Sequence, residues 1–180
     1  MLARGLLHQP VALIGVIFLR KSPERLTYSR RRLLLAIGLA CPVAYVSHAW
    51  LLGLDTPHAL MKMVCELTVL VIGLRLARLS QQSSGSTSQY RLLVMTLTLF
   101  LISIFGDSVL VALSFVPLET SIGPVRQVLA FTTMISMAIG ATNTLQYGMS
   151  VSWRMAAVYV LGYITLALML YEVTSLALMA

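Results

Sequence analysis

Long apolar stretches separated by short polar breaks organise this chain. A helix that crosses a bilayer core needs about 20 mostly apolar residues. Runs at about 33–54, 91–116, 125–147 and 153–171 meet that requirement, and a fifth at about 59–79 does so with Lys62 and Glu66 in its first half. The breaks carry turn chemistry: SQQSSGSTSQ at 80–89 is small and polar, Pro117 to Gly123 forms a short turn with Pro124 opening the next run, and Gly148 to Ser152 is a tight connection. Ser22-Pro23-Glu24 has the form of a helix start, so the first helix is predicted to begin near Pro23 and continue into the membrane. Pro42 is predicted to kink it.

Residues 2–19 form a shorter apolar segment broken by Arg4, His8, Gln9 and Pro10. Its length suits an amphipathic helix lying in the interface better than a sixth span. It ends at Arg20-Lys21 without a small-residue cleavage pattern, so the chain is read as retaining it. The pattern predicts an all-α, polytopic membrane bundle of about five transmembrane helices plus an N-terminal interfacial helix. It divides into a basic segment over 1–32 and a transmembrane domain over 33–180.

Composition agrees. Of 180 residues, 58% are hydrophobic and 11% charged, and the mean hydropathy is +0.88. So small a globule could not hide this much apolar surface, which makes lipid its natural solvent.

The net charge of +7 raises nucleic acid as a partner, but the positions of the charges argue against it. Arg20, Lys21, Arg25, Arg30, Arg31 and Arg32 stand immediately before an apolar run, where basic clusters fix topology and meet anionic headgroups. With the N-terminus in the cytoplasm, eleven Lys and Arg fall on that side against Lys62 and Arg126 on the other. That bias predicts five spans, a C-terminus outside, and a cell membrane of the bacterial inner-membrane kind.

Charged groups inside a span are costly and default to functional candidates. Glu66 and Asp107 qualify. Each lies slightly outward of the middle of its run, so the two could face one another across adjacent helices and share a proton or cation. The structural alternatives are that Glu66 neutralises Lys62, four residues away on the same helix face, and that a hydroxyl or a proton holds Asp107.

His48 is near the outer end of the first span, and His58 sits beside Asp55 in the first outer loop. Asp55, His58 and Glu66 could bind a metal only if that loop folds back, so no metal and no cofactor is predicted. Cys41 and Cys65 lie in apolar runs and read as buried thiols.

In the fourth span Thr132, Ser136, Gly140, Thr144 and Gly148 recur every fourth residue. Such a small-residue stripe lets helix backbones approach closely, within the chain or between copies. Asn143 and Gln146 lie beside it and could bond across helices or line a polar path. Tyr45, Trp50, Tyr90, Tyr147, Trp153 and Tyr171 lie near span ends, where aromatic belts form.

No nucleophile-elbow, phosphate-loop, zinc-protease or dinucleotide motif occurs, which leaves a membrane-bound enzyme as the third reading. The cytoplasmic region with a proline in a short apolar segment, LLHQPVALIGVIFL, followed by five closely spaced spans, resembles the plan of the Yip family of membrane proteins. That resemblance is one of topology and implies a role in membrane organisation or protein interaction. The first functional expectation is therefore a non-enzymatic component that organises the bilayer or binds other membrane proteins, with homo-oligomers included. The second is a small transporter or ion-conducting subunit built on Glu66 and Asp107.

Overall fold

The computed structural model describes residues 29–80, 86–115 and 123–179, together with Gly15 and Pro23. The interfacial helix predicted over 2–19, and Arg20, Lys21 and Arg25, lie outside the described residues. Five helices run through the rest: α1 (Arg30–Leu51), α2 (Thr56–Ser80), α3 (Ser86–Ser114), α4 (Gly123–Met149) and α5 (Trp153–Met179). Among the described residues there is no strand. The molecule is an all-α helical bundle.

Four of the helices, α1, α3, α4 and α5, are long and apolar enough to cross a membrane. The fourth helix illustrates why the sequence commits them to helix: Pro124 occupies the first turn, where its missing N–H costs nothing. Its threonines at 132, 133, 142 and 144 return their hydroxyls to carbonyls one turn back, so they bury no unmet donor in an apolar setting. Helix α2, at 25 residues, matches the others in length but carries Lys62, Glu66, Arg75 and Arg78.

Several boundaries differ from the sequence reading. Helix α1 does not begin near Pro23, because Ser29 is extended and its hydroxyl caps the Arg32 amide at 3.2 Å. It stops at Leu51, where the Leu52 amide bonds the His48 carbonyl and Gly53 takes a left-handed φ of +62°. Helix α3 starts at Ser86, so part of the small polar stretch 80–89 is helical, and α5 continues past Tyr171 to Met179.

The helices close into a ring. Helix α1 packs along α3, α3 along α4, α4 along α5, α5 along α2 and α2 back on α1, while α2 and α3 meet only marginally. One end of the ring, the arginine end, gathers Arg30, Arg31 and Arg32 of α1, Arg75 of α2, Arg91 of α3 and Arg154 of α5. The opposite end carries the connection over residues 52–55 and the start of α4 with Arg126.

Helices α3 and α4 run antiparallel at very close approach. A β-carbon added to Gly148 would lie 2.3–2.7 Å from Met95 side-chain atoms, and one added to Gly106 would collide with Met137. Both contacts pair residues whose numbers sum to the same value, which fixes the register along the whole seam. Helices α1 and α3 run parallel, sixty positions apart, with Ser47 against Asp107. Between them Ala36, Ala40, Leu97 and Phe100 form the buried core, flanked by Leu33, Ile37, Leu67, Leu70, Leu101 and Ile104. Small alanines on α1 admit the large side chains of α3, and the leucines of α2 cover the join.

Candidate functional site: an acid–imidazole cluster

Four helices deliver polar side chains to one region of the bundle. From α1, adjacent residues Ser47 and His48 are both buried. The His48 ring, 10% exposed, places Nε2 3.0 Å from Oε2 of Glu66 on α2, whose side chain is 31% exposed. Ser47 Oγ donates to Oδ1 of Asp107 on α3 at 3.4 Å, and Ser103 Oγ, one turn earlier on α3, donates to Oδ2 at 3.2 Å. From α5 the Tyr163 hydroxyl donates to the Glu66 backbone carbonyl at 3.4 Å. The buried thiol of Cys65 lies 3.6 Å from Thr174 Oγ1, joining α2 to α5 beside the cluster.

The two acids do not touch across adjacent helices as the sequence suggested, because α2 and α3 hardly meet. Helix α1 stands between them and serves both, Asp107 through Ser47 and Glu66 through His48. Nor does Lys62 neutralise Glu66. Its Nζ lies 5.3 Å from the centre of the Tyr171 ring on α5, a cation–π contact. Ser108, the hydroxyl residue next to Asp107 in sequence, is exposed and makes no contact with that carboxylate.

His48 is the residue that sequence reasoning passed over. The available signal was an imidazole inside an apolar run, a costly placement unless a partner exists.

The fourth-span stripe is mostly consumed within the chain. Ser136, Gly140, Thr144 and Gly148 are buried, with Gly148 against Met95 of α3, while Thr132 is exposed. Asn143 is also buried, 9% exposed, and its Nδ2 has no hydrogen-bond acceptor. Gln146 is exposed. Asn143 lies one and a half turns from the arginine end of α4, away from the level of Asp107. Of the aromatic residues, Trp50 meets Phe115 at a ring separation of 5.2 Å, Tyr147 lies under Arg91, and Tyr45 donates to Thr56.

Asp55 starts α2. Its carboxylate accepts from the His58 amide at 3.1 Å and from the His58 ring, and its carbonyl accepts from the Ala59 amide. The side-chain bond from His58, followed by the backbone bond, holds the Asp55 carboxyl below its ordinary value of 3.8. A carboxyl lowered on folding stabilises the fold above its unfolded value and loses that contribution as pH falls through the folded one. The His58 and Ala59 amides are therefore expected to show lower protection, measured against the intrinsic exchange rate at each pH, below about pH 4. Asp55→Asn, which still caps, should remove that acid dependence; amide exchange followed by mass spectrometry checks it. Among the described residues no three His, Cys, Asp or Glu side chains stand close enough to hold a metal.

The fold and the cluster define a helical bundle with membrane-spanning helices and an internal acid–imidazole site. Comparison of the chain with family models, curated proteins and solved structures finds no match.

Proposed function

We propose that this chain crosses a membrane five times and that its working part is the acid–imidazole cluster, which takes up and releases a proton or a small monovalent cation in the course of transport. The convergence of His48, Glu66 and Asp107 from three helices carries this reading. Two acids and one imidazole share a low-dielectric region, so even a protonated His48 balances only one carboxylate. The second needs a positive charge of its own, since an unmatched ion there is expensive. The hydroxyls of Ser47, Ser103 and Tyr163 fix the geometry around that charge.

The arginine end faces the cytoplasm on this reading, which matches the excess of basic residues there, and the membrane is of the bacterial inner-membrane kind. The partner-organising alternative suggested by the Yip-like plan relies on the basic segment over 20–32 and on the small-residue stripe of α4 as a docking seam; most of that stripe is buried within the chain, with Gly148 against Met95 of α3.

Flux through vesicles reconstituted with the purified chain tests the proposal. Proton or alkali-cation flux is expected with the wild-type chain and should fall to the level of protein-free vesicles in Asp107→Asn and in Glu66→Gln, with the protein still inserted and monodisperse. Unchanged flux in both variants would reject it.

A further inference from the structure

We infer that the ion handled by this cluster is a proton, and that in this structure it reaches the site from the end opposite the arginines. The inference rests on the proposed function and sharpens it in two respects.

The first respect is the occupant. A metal cation needs several oxygen ligands converging on one point; sodium and potassium, like calcium, replace a hydration shell. The cluster lacks that arrangement. Both Asp107 oxygens already accept hydroxyl protons, Oδ1 from Ser47 and Oδ2 from Ser103. Oε2 of Glu66 is turned to the His48 ring, and the Tyr163 hydroxyl is committed to a backbone carbonyl. The oxygens point at separate partners on separate helices. A proton needs no such shell, because it binds one oxygen or one ring nitrogen and leaves the surrounding contacts in place.

The second respect is access. On the arginine side the cluster is closed by the buried apolar core. Ala40 precedes Ser47 by seven positions on α1, and Phe100 precedes Asp107 by seven on α3, so the plug begins about 10 Å away at the helical rise of 1.5 Å per residue. Ala36, Ala40, Leu97 and Phe100 fill it, and Leu67 and Leu70 of α2 pack on it directly beyond Glu66. This apolar core itself offers no polar side chain; at its level the buried polar residues are Thr98 of α3 and Thr142, Asn143 and Thr144 of α4, none of them titratable and the three threonine hydroxyls bonded to carbonyls one turn back.

On the other side His48 is three residues from the end of α1, and the connection with the exposed Asp55–His58 pair follows. The charged and titratable groups facing the cluster are His48 from α1, Glu66 and Cys65 from α2, Asp107 from α3 and Tyr163 from α5. At the level of Asp107, helix α4 contributes Ser136 and Met137 and no charge.

Rapid-mixing infrared spectroscopy on sealed vesicles containing the full chain tests both points. The band of protonated carboxyls reports Asp107 and Glu66 and is assigned by its loss in Asp107→Asn and Glu66→Gln. Selective ¹³C labelling of aspartate or glutamate assigns it independently should either variant fail to insert. The fraction of chains with the arginine end outward is measured by protease cleavage.

A pH jump in the external medium is expected to produce a fast band change whose amplitude follows the fraction of chains with the arginine-poor end outward. A jump in sodium or potassium at constant pH should leave the band unmoved. A fast change that follows the arginine-end fraction, or a band that moves with sodium or potassium, overturns the inference while leaving an ion-handling site standing. A band insensitive to pH on either face and to both cations overturns the inference and the proposed function together.

Discussion

Replacing Gly148 with alanine is expected to destabilise the bundle by about 1–3 kcal/mol, the usual cost of overfilling a packed interior, and Gly148→Leu should prevent the protein from accumulating. The reason is local. A β-carbon at this position meets Met95 Cβ at 2.6 Å as well as its Sδ and Cγ, and Met95 is fully buried. A side-chain tip can swing away, but a β-carbon moves only with its helix, so α3 and α4 must separate along the seam. Gly162→Ala on α5 is the control. No atom lies within 4 Å of its added methyl, and alanine is a better helix former by roughly 0.8–1.0 kcal/mol. Thermal aggregation of the two variants in mild detergent should move in opposite directions; equal behaviour would show that the α3–α4 register is wrong.

The second large effect concerns the imidazole. His48→Leu is expected to destabilise the bundle by about 1–3 kcal/mol, because it leaves the half-buried Glu66 carboxylate among the helices with no partner. The double variant His48→Leu with Glu66→Leu should recover most of that loss, since neither member of the pair is then left without the other. A double-mutant cycle in detergent denaturation measures the coupling directly. Additive losses would mean that the 3.0 Å contact contributes little to holding α1 against α2. The doubly apolar chain, stable but lacking the acid, should still fail in the flux measurement.

The architecture was legible because apolar run length and Lys/Arg placement are one-dimensional properties. Four runs were recognisable as spanning helices, and the doubtful fifth was doubtful for a reason the structure retains: α2 carries Lys62 and Glu66 among its apolar residues. Individual helix ends were less legible, because single side chains set them. Ser29 rather than Ser22 caps α1, and nothing in the local sequence ranks the two.

The two acids stood out, since a carboxylate in an apolar run is conspicuous on its own. Their partners were hidden because pairing depends on how helices rotate and cross. A level hairpin between α1, ending at Leu51, and α2, starting at Thr56, would set His48 opposite Ala59. Meeting Glu66 requires the helices to cross and the side chains to reach. Lys62 shows the same limit: spacing alone paired it with Glu66, whereas the neighbouring helix offers it the face of Tyr171.

Pro42 gives α1 a mechanical property. Lacking an amide hydrogen, it leaves the Gly38 carbonyl without its helical donor, so the rod is weakest just past Ala40. Ser47 and His48 both ride on the segment beyond that joint, one gripping each acid. A tilt of this segment would therefore let go of Asp107 and Glu66 in a single stroke, and straightening it would recapture both.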